Sequence, residues 1–287
     1  NYTTFYITDP KLRTINKAQV CDRVLHHGIF RVLEPIFEKK FIFDSYSSRK
    51  EKGTHKAISR FRYFAWKLSK NNTKTVWVLK CDVRKFFDSV DHEILLRLIS
   101  KVIKDAKVVN LLEEIIGSFK ANLKQGSFNE ERGIPLGNLT SQLFSNIYLN
   151  ALDQFAKREL EEKYYVRYAD DFVFLGTELN HLESLVSKLE VFLQNELHLE
   201  LHPNKIIFRK FSQGIDFLGY VVFPHHTVLR TKTKKRMIRK INEKKNSLNG
   251  KHKDDDSFNQ SVQSYLGMLT HCRGERIRKE VDKIIQS

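Results

Sequence analysis

Two adjacent acids stand at the apex of a run whose flanks alternate apolar side chains: Tyr164-Tyr-Val-Arg-Tyr-Ala-Asp-Asp-Phe-Val-Phe-Leu175. Valines and aromatics at period two predict a pair of strands. Ala169-Asp170 then forms the turn of a hairpin, although the Asn-Gly chemistry of a tight hairpin is missing. Side by side, Asp170 and Asp171 raise each other's pKa unless a cation or base lies near. A solvated acidic turn is the plain alternative, and this stretch by itself fits either. A third acid narrows the choice. Val76-Trp-Val-Leu-Lys-Cys-Asp82 is a strongly apolar strand that ends on Asp82. Val83-Arg-Lys-Phe-Phe-Asp88 turns from it into a helix that Asp91 can cap. Acids at the ends of neighbouring strands are what nucleotidyl transfer needs. Two divalent ions must sit roughly 3.5–4 Å apart, one at the attacking hydroxyl and one at the leaving phosphate. Magnesium keeps waters and takes few carboxylates, so three acids suffice, and it offsets charge on the transferred phosphoryl group.

Outside these acids the chain is basic. A formal net charge of +16 and a pI near 9.6 predict a polyanionic partner, nucleic acid ahead of membrane. At 287 residues and 41% hydrophobic content it can hold one large domain or several small ones. No run of about 18 apolar residues is present, so no membrane span is expected. Asn1-Tyr-Thr-Thr-Phe-Tyr-Ile is not a signal peptide, and the lack of an initiator Met predicts missing residues at the start. Cys21, Cys81 and Cys272 are scattered, which argues against a disulfide scaffold and for a reducing cytoplasm. His271-Cys272 lacks metal-spaced partners.

The rest of the chain reads in order. Short strands flank a Thr8-Asp9-Pro10 turn and carry Lys11 and Arg13 on one face. A helical period over 19–40 contains Pro35, which should kink or split it. A polar loop over 44–56 leads into a helix ending near Ser69, and a further helix lies near 108–120. Gly133-Ile-Pro-Leu-Gly-Asn-Leu-Thr-Ser-Gln142 opens a long helix to about Lys163. Leu182 to Leu197 is amphipathic. Pro203-Asn204-Lys205 lies between short strands, and Ile215–Phe223 reads as one strand. Basic residues crowd 230–245, a polar linker follows over 249–257, and two more helices complete a three-helix tail.

In this order the motifs resemble those of reverse transcriptases from one end of the chain to the other. Tyr168-Ala-Asp-Asp171 resembles the catalytic YxDD box, and Asp82-Val-Arg-Lys-Phe-Phe87 the first catalytic motif. Gly133–Gln142 resembles the motif beneath the incoming nucleotide, Pro203-Asn204-Lys205 the lysine motif, and Phe217-Leu-Gly-Tyr220 the primer grip. Lys11-Leu-Arg13 and Ser45-Tyr-Ser-Ser-Arg49 resemble two fingers motifs, the second of the group II intron-like enzymes. The resemblance implies an α+β right-hand polymerase with an antiparallel-sheet palm, fingers and a three-helix thumb. Fingers would span 1–75 plus about 105–132, palm 76–104 and 133–223, and thumb 224–287.

The implied activity is RNA-directed DNA synthesis with dNTPs and two Mg²⁺ ions, which Mn²⁺ could replace. Asp82, Asp170, Asp171 and the Val83 backbone would hold metal, with Asp171 the least direct ligand, and Lys205 would act as general acid. Lys11, Arg13, Arg84 and Lys85 would lie along the triphosphate; Arg can bind phosphate in bidentate fashion, Lys only as a point charge. Arg49 would meet template or triphosphate. Tyr168 would pack or brace the primer end. Phe86 would be core and Phe87 a steric gate against the ribose 2′-hydroxyl, with Leu136, Gly137 and Gln142 under the nucleotide. The basic run over 230–245 would grip the primer–template backbone.

One departure points to a subfamily. Most reverse transcriptases carry Gln-Gly-x-x-x-Ser-Pro where this chain reads Leu136-Gly-Asn-Leu-Thr-Ser-Gln142. That change is similar to the enzymes of diversity-generating retroelements, which copy a template RNA with frequent errors at adenines. Such enzymes imply a bacterial or phage origin and a small, basic, helical-bundle accessory protein, itself able to oligomerise. The short length and the lack of a maturase or endonuclease segment agree. Retron, group II-like and phage-defence reverse transcriptases are the rivals in this class. A non-catalytic binder of structured RNA is the rival outside it, and the intact acids argue against that.

Overall fold

The computed structural model describes residues 2–8, 12–119, 132–248 and 256–286. Strands β1 (Tyr2–Ile7) and β2 (Arg13–Ala18) pair antiparallel, from Tyr2 opposite Ala18 to Ile7 opposite Arg13. Asp9, Pro10 and Lys11 lie outside the described residues. Helix α1 (Val20–Glu38) buries His26, Ile29, Leu33 and Phe37 along one face. Pro35 lies inside α1 without splitting it. A proline there forfeits one backbone bond, and the buried stripe on both sides holds the helix together.

Helix α2 (Thr54–Leu68) precedes β3 (Trp77–Asp82), short α3 (Phe86–Ser89), α4 (His92–Ser100) and α5 (Ala106–Gly117). Helix α6 (Leu139–Gln154) continues as one π-helical turn, Phe155–Glu159, so the predicted helix to Lys163 stops short. Most of α6 is buried, Asn146 and Asp153 included, and it packs against α1, α4 and α7 (Leu179–Leu197). A helix apolar on most sides belongs in a core. Strands β4 (Tyr165–Tyr168), β5 (Asp171–Gly176) and β6 (Ile207–Lys210) join β3 in a sheet of order β4–β5–β3–β6.

The chain forms two compact units, residues 1–57 with 79–208 and residues 58–78 with 209–287. In the second, β7 (Ile215–Phe217), β8 (Tyr220–Val222) and β9 (Thr227–Leu229) make an antiparallel sheet. The single strand expected over 215–223 is therefore a hairpin. Leu218 (φ 52°) and Gly219 (φ 88°) form its two-residue turn, with Phe217 opposite Tyr220. Two left-handed residues in succession suit a hairpin turn, but leucine at the first position hides it from a reading by turn residues. Phe61 sets its ring against Phe211 and Phe217 at 5.8 and 5.6 Å. Helices α8 (Thr231–Ser247), α9 (Asp256–Leu269) and α10 (Glu275–Gln286) pack on one another. Among the described residues no helix is long and apolar enough to cross a membrane.

Asp91 caps α4 as its position predicts: Oδ1 accepts from the Ile94 backbone N–H at 3.2 Å. Its Oδ2 lies 3.0 Å from His198 Nδ1, just beyond α7, and 3.6 Å from Arg132. Burial pushes its pKa up, but the His198 and Ile94 hydrogen bonds and the Arg132 charge outweigh that and leave it below the ordinary value. A carboxylate with a depressed folded pKa stabilises above its unfolded value and loses that contribution as pH falls through the folded one. Asp91→Ala should cost about 1–2 kcal/mol near neutral pH. Urea titrations of both proteins should show the gap narrowing progressively below about pH 4.

Candidate active site

Pairing of Tyr168 with Asp171 leaves Ala169-Asp170 as a two-residue loop. Ala169 takes φ 52°, a left-handed conformation that costs a non-glycine residue about 1–2 kcal/mol. Arg167 holds it there. Its Nη1 donates to the Ala169 carbonyl at 3.1 Å, while Nε and Nη2 reach the two oxygens of Asp153 at 2.7 and 2.6 Å. Nη2 also donates to Ser45 Oγ at 3.1 Å, and the Tyr165 hydroxyl donates to Asp153 at 2.9 Å. Both ends of the ion pair are fully buried. The candidate residues taken from the sequence include neither Arg167 nor Asp153. The available signal was a charged residue inside each of two apolar runs of opposite sign, since buried charges are paired.

Asp82 ends β3, the neighbour of β5, and the Val83 N–H donates to the Asp170 carbonyl at 3.2 Å. On the other side of this segment, Arg84 N–H donates to the Glu200 carbonyl and His202 N–H to the Asp82 carbonyl, at 2.9 and 2.8 Å. That strand-like pairing delivers the 3-10 turn Pro203–Lys205, and Lys205 Nζ donates to Asp82 Oδ1 at 2.5 Å. Lys80 Nζ pairs with Asp171 Oδ1 at 3.2 Å. Burial, followed by the Asp82 charge, pushes Asp170 up to about 6. Burial also raises Asp171, against the pull of Lys80.

Among the described residues no group of three or more His, Cys, Asp or Glu is gathered as a metal-holding cluster. The donors nonetheless suit a hard divalent cation. They are carboxylate oxygens, and they are buried at an electrostatic cost that a cation of that kind relieves.

The Leu136–Gln142 segment is tied to β2. Asn16 N–H donates to the Leu136 carbonyl at 3.1 Å, and the Asn138 amide clasps Asn16 O and Ala18 N at 3.2 and 3.3 Å. Gly137 sits at φ 119°, and a Cβ there would meet Ile15 Cγ2 at 2.9 Å, so the close approach requires glycine. Gln142 and Arg13 are exposed and Leu136 is half-buried. Phe86 is core, against Tyr148 and Phe87 at 6.2 and 5.4 Å, whereas Phe87 is partly exposed. Lys85 is exposed and enters α3 at φ 44°, and exposed Arg84 pairs with Glu200 at 3.0 Å. The Tyr168 hydroxyl accepts from Thr54 Oγ1 at 3.2 Å.

Arg49, expected to meet template or triphosphate, has a side chain only 5% exposed. Its guanidinium donates to Glu38 through Nε and Nη2 and to the carbonyls of Ile42 and Ser45, at 2.7 and 2.8 Å, through Nη1. Those donors are committed to folding the 42–49 loop, and none is presented to a ligand.

Residues 8–222 match the family model described as "Reverse transcriptase (RNA-dependent DNA polymerase)". The chain belongs to the reverse transcriptase family. Relatives include protein YkfC of Escherichia coli, 28% identical over 73% of this chain and 63% of that protein. The group II intron-encoded protein LtrA of Lactococcus lactis is 25% identical over 84% of this chain and 48% of its own length. The chain thus spans less than two thirds of these relatives. Telomerase from Candida tropicalis, solved with a fragment of telomeric RNA, superposes with a TM-score of 0.63. It covers 99% of this chain and 52% of that one at 14% identity, a likeness of fold: the right-hand polymerase.

The buried pair beneath the reverse transcriptase hairpin gives a direct test. Arg167→Leu should destabilise by about 3–5 kcal/mol, because it strands a buried carboxylate. Combining it with Asp153→Leu should recover much of that loss, as denaturant titration of the full double-mutant cycle would show.

Proposed function

We propose that this reverse transcriptase is an active RNA-directed DNA polymerase that extends a primer on an RNA template with dNTPs. The observation that carries the reading is that Asp82, Asp170 and Asp171 stand at the ends of neighbouring strands, close enough for the charges of Asp82 and Asp171 to raise Asp170, with Lys205 on Asp82. The three carboxylates and the Val83 carbonyl would hold Mg²⁺ or Mn²⁺. When bound, such ions lower the pKa of the primer hydroxyl and neutralise charge on the leaving pyrophosphate. Lys205 holds a proton at Nζ and can give it to that leaving group. Arg13 lies on a strand fastened to the Leu136–Gly137 floor and can take a phosphate in bidentate fashion; Lys11, outside the described residues, belongs to the same motif. Phe87, partly exposed, would stand against the sugar, and Arg84 and Lys85 offer exposed charge.

Some basic residues of α8 are tied to neighbouring groups. Lys234 pairs with Glu280 at 2.8 Å, Lys244 donates to Ser257 and Ser261, and Lys245 to the Ile284 carbonyl. These fasten the helices together. Lys232 and Lys235 are exposed, as is Arg239, which also meets Glu243 at 3.5 Å; these three form the set we assign to the nucleic-acid backbone.

Asp82→Asn and Asp170→Asn should each abolish primer extension while RNA affinity changes by less than about threefold. Extension assays with and without Mg²⁺, paired with filter binding, check this. Full synthesis by either variant removes the metal assignment.

Within this activity we favour error-prone cDNA synthesis for a diversity-generating retroelement, in the cytoplasm, with a structured template RNA and a basic helical-bundle accessory protein. Leu136 and Gln142 carry that finer reading. An isobutyl group can pack beneath the base pair, but cannot make the hydrogen bonds of a glutamine amide. The match to LtrA favours a second reading, a group II intron-like enzyme of ordinary fidelity. Loss of one such bond is worth about 1 kcal/mol of discrimination, or several-fold in misincorporation. Leu136→Gln should lower errors opposite template adenine more than opposite other bases, as measured by sequencing cDNA from one template. Low errors at adenine in the unaltered chain would favour the group II reading.

A further inference from the structure

Helix α2 and the turn after it carry a surface that the polymerase reading leaves unused. Between Ile58 and Val78 the chain has five Lys or Arg (Arg60, Arg62, Lys67, Lys70, Lys74) and no Asp or Glu. Two aromatics stand out from this basic segment. Trp66 is 49% and Tyr63 43% exposed, with ring centroids 6.3 Å apart and planes tilted by 32°. Cations flank them. The Arg60 guanidinium lies 5.5 Å from the Tyr63 ring centre and 4.3 Å from that of Phe64, and Lys67 Nζ lies 5.7 Å from Tyr63.

The exposed indole is not loose. Its Nε1 donates to Asn71 Oδ1 at 2.7 Å. Asn71 is the middle member of three consecutive left-handed residues, Lys70 (φ 48°), Asn71 (φ 62°) and Asn72 (φ 63°). None is glycine, so each costs energy. Ser69, 2% exposed, pins the turn. Its Oγ accepts from Asn72 N–H at 2.9 Å, and its carbonyl accepts from Thr73 and Lys74 N–H at 3.0 and 2.8 Å. Backbone strain thus holds a tryptophan face in water, where burial would be favoured for such a ring.

We infer that Tyr63 and Trp66, with Arg60, Lys67 and Lys70, form a stacking platform for unpaired RNA. Rigid exposed aromatics set among cations are what sequence-tolerant single-strand binding needs: a π-face for each base and positive charge for the phosphates. The absence of acids disfavours a mixed-charge protein partner, and a duplex hides its base faces from such rings. Charge and stacking select an unpaired strand. The choice of RNA over single-stranded DNA rests on the reverse transcriptase reading.

Intrinsic fluorescence tests the platform in the whole chain, because the sequence has two tryptophans. In Trp77→Phe, Trp66 is the only reporter, and oligo(U) should quench it. Trp66→Ala should weaken oligo(U) binding about tenfold, Trp66→Phe by no more than about threefold, and neither should alter affinity for a blunt RNA duplex. Circular dichroism melts verify that the variants fold. The proposal is overturned by any of four results: no quenching; equal loss on duplex; Phe as damaging as Ala; or oligo(dT) binding without oligo(U). Self-association of the unaltered chain that Trp66→Ala abolishes would also overturn it, in favour of a protein interface. Binding needs no turnover, so an inactive chain that still shows the quench separates this inference from the proposed activity.

Discussion

A guanidinium with no access to water organises the larger of the two compact units. Arg167 projects from β4, the very strand that leads to the acids, and Asp153 meets it from α6. Burying two charges carries a desolvation cost that mutual attraction offsets only when nearly every donor and acceptor is used. Here they are used: Asp153 takes both forks of Arg167 and the Tyr165 hydroxyl, and the remaining guanidinium donors go to Ser45, Ala169 and Asn146. Three segments distant in sequence therefore share one network. The 42–49 loop enters it twice, through the Ser45 hydroxyl and through backbone bonds that bracket Arg167, Arg167 N–H to Asp44 O and Tyr46 N–H to Arg167 O. The geometry of the Asp170 turn follows from that network rather than from the preferences of alanine and aspartate.

The same strong positive charge is spent in two distinct ways. Arg49 and Arg167 are buried and fold loops, while Lys234, Lys244 and Lys245 join helices. Lys80 and Lys205 each face one acid of the candidate site. Only the remainder is left to attract a polyanion, so net charge overstates the binding surface. An acidic cluster in a chain of this charge is conspicuous for the same reason. Burial and mutual repulsion raise Asp170 and Asp171 even with two lysines alongside, so ammonium groups alone do not neutralise the site.

Legibility in the sequence followed the range of the interaction. Helices with a clear apolar period, the strand ending on Asp82 and the hairpin carrying Asp170 were readable because each depends on residues close in sequence. The Asp91 cap was readable for the same reason. The turn at Leu218-Gly219 was not, because its first residue lacks turn chemistry. The Arg49 bond to Glu38 was not legible, because that partner is eleven residues away on α1. Arg167 and Asp153 escaped because charge in an apolar run means nothing until the opposite charge is found. Asn138, whose side chain clasps β2 across more than a hundred residues, gives no local signal at all.

At two places in this chain a polar side chain holds strained backbone. Ala169 is left-handed, and Arg167 grips its carbonyl; Lys70, Asn71 and Asn72 are left-handed, and Ser69 takes the amides of Asn72, Thr73 and Lys74. Each arrangement costs about 1 kcal/mol or more per residue, a cost that a neutral surface turn would not sustain. Glycine would relieve it at either place, yet glycine would also widen the range of conformations of the group being presented: the carboxylate of Asp170 in one case, the indole of Trp66 in the other. A non-glycine residue in a strained state that a buried network enforces has one geometry open to it. That is the physical condition for presenting a charge or a ring to a ligand without first having to order it.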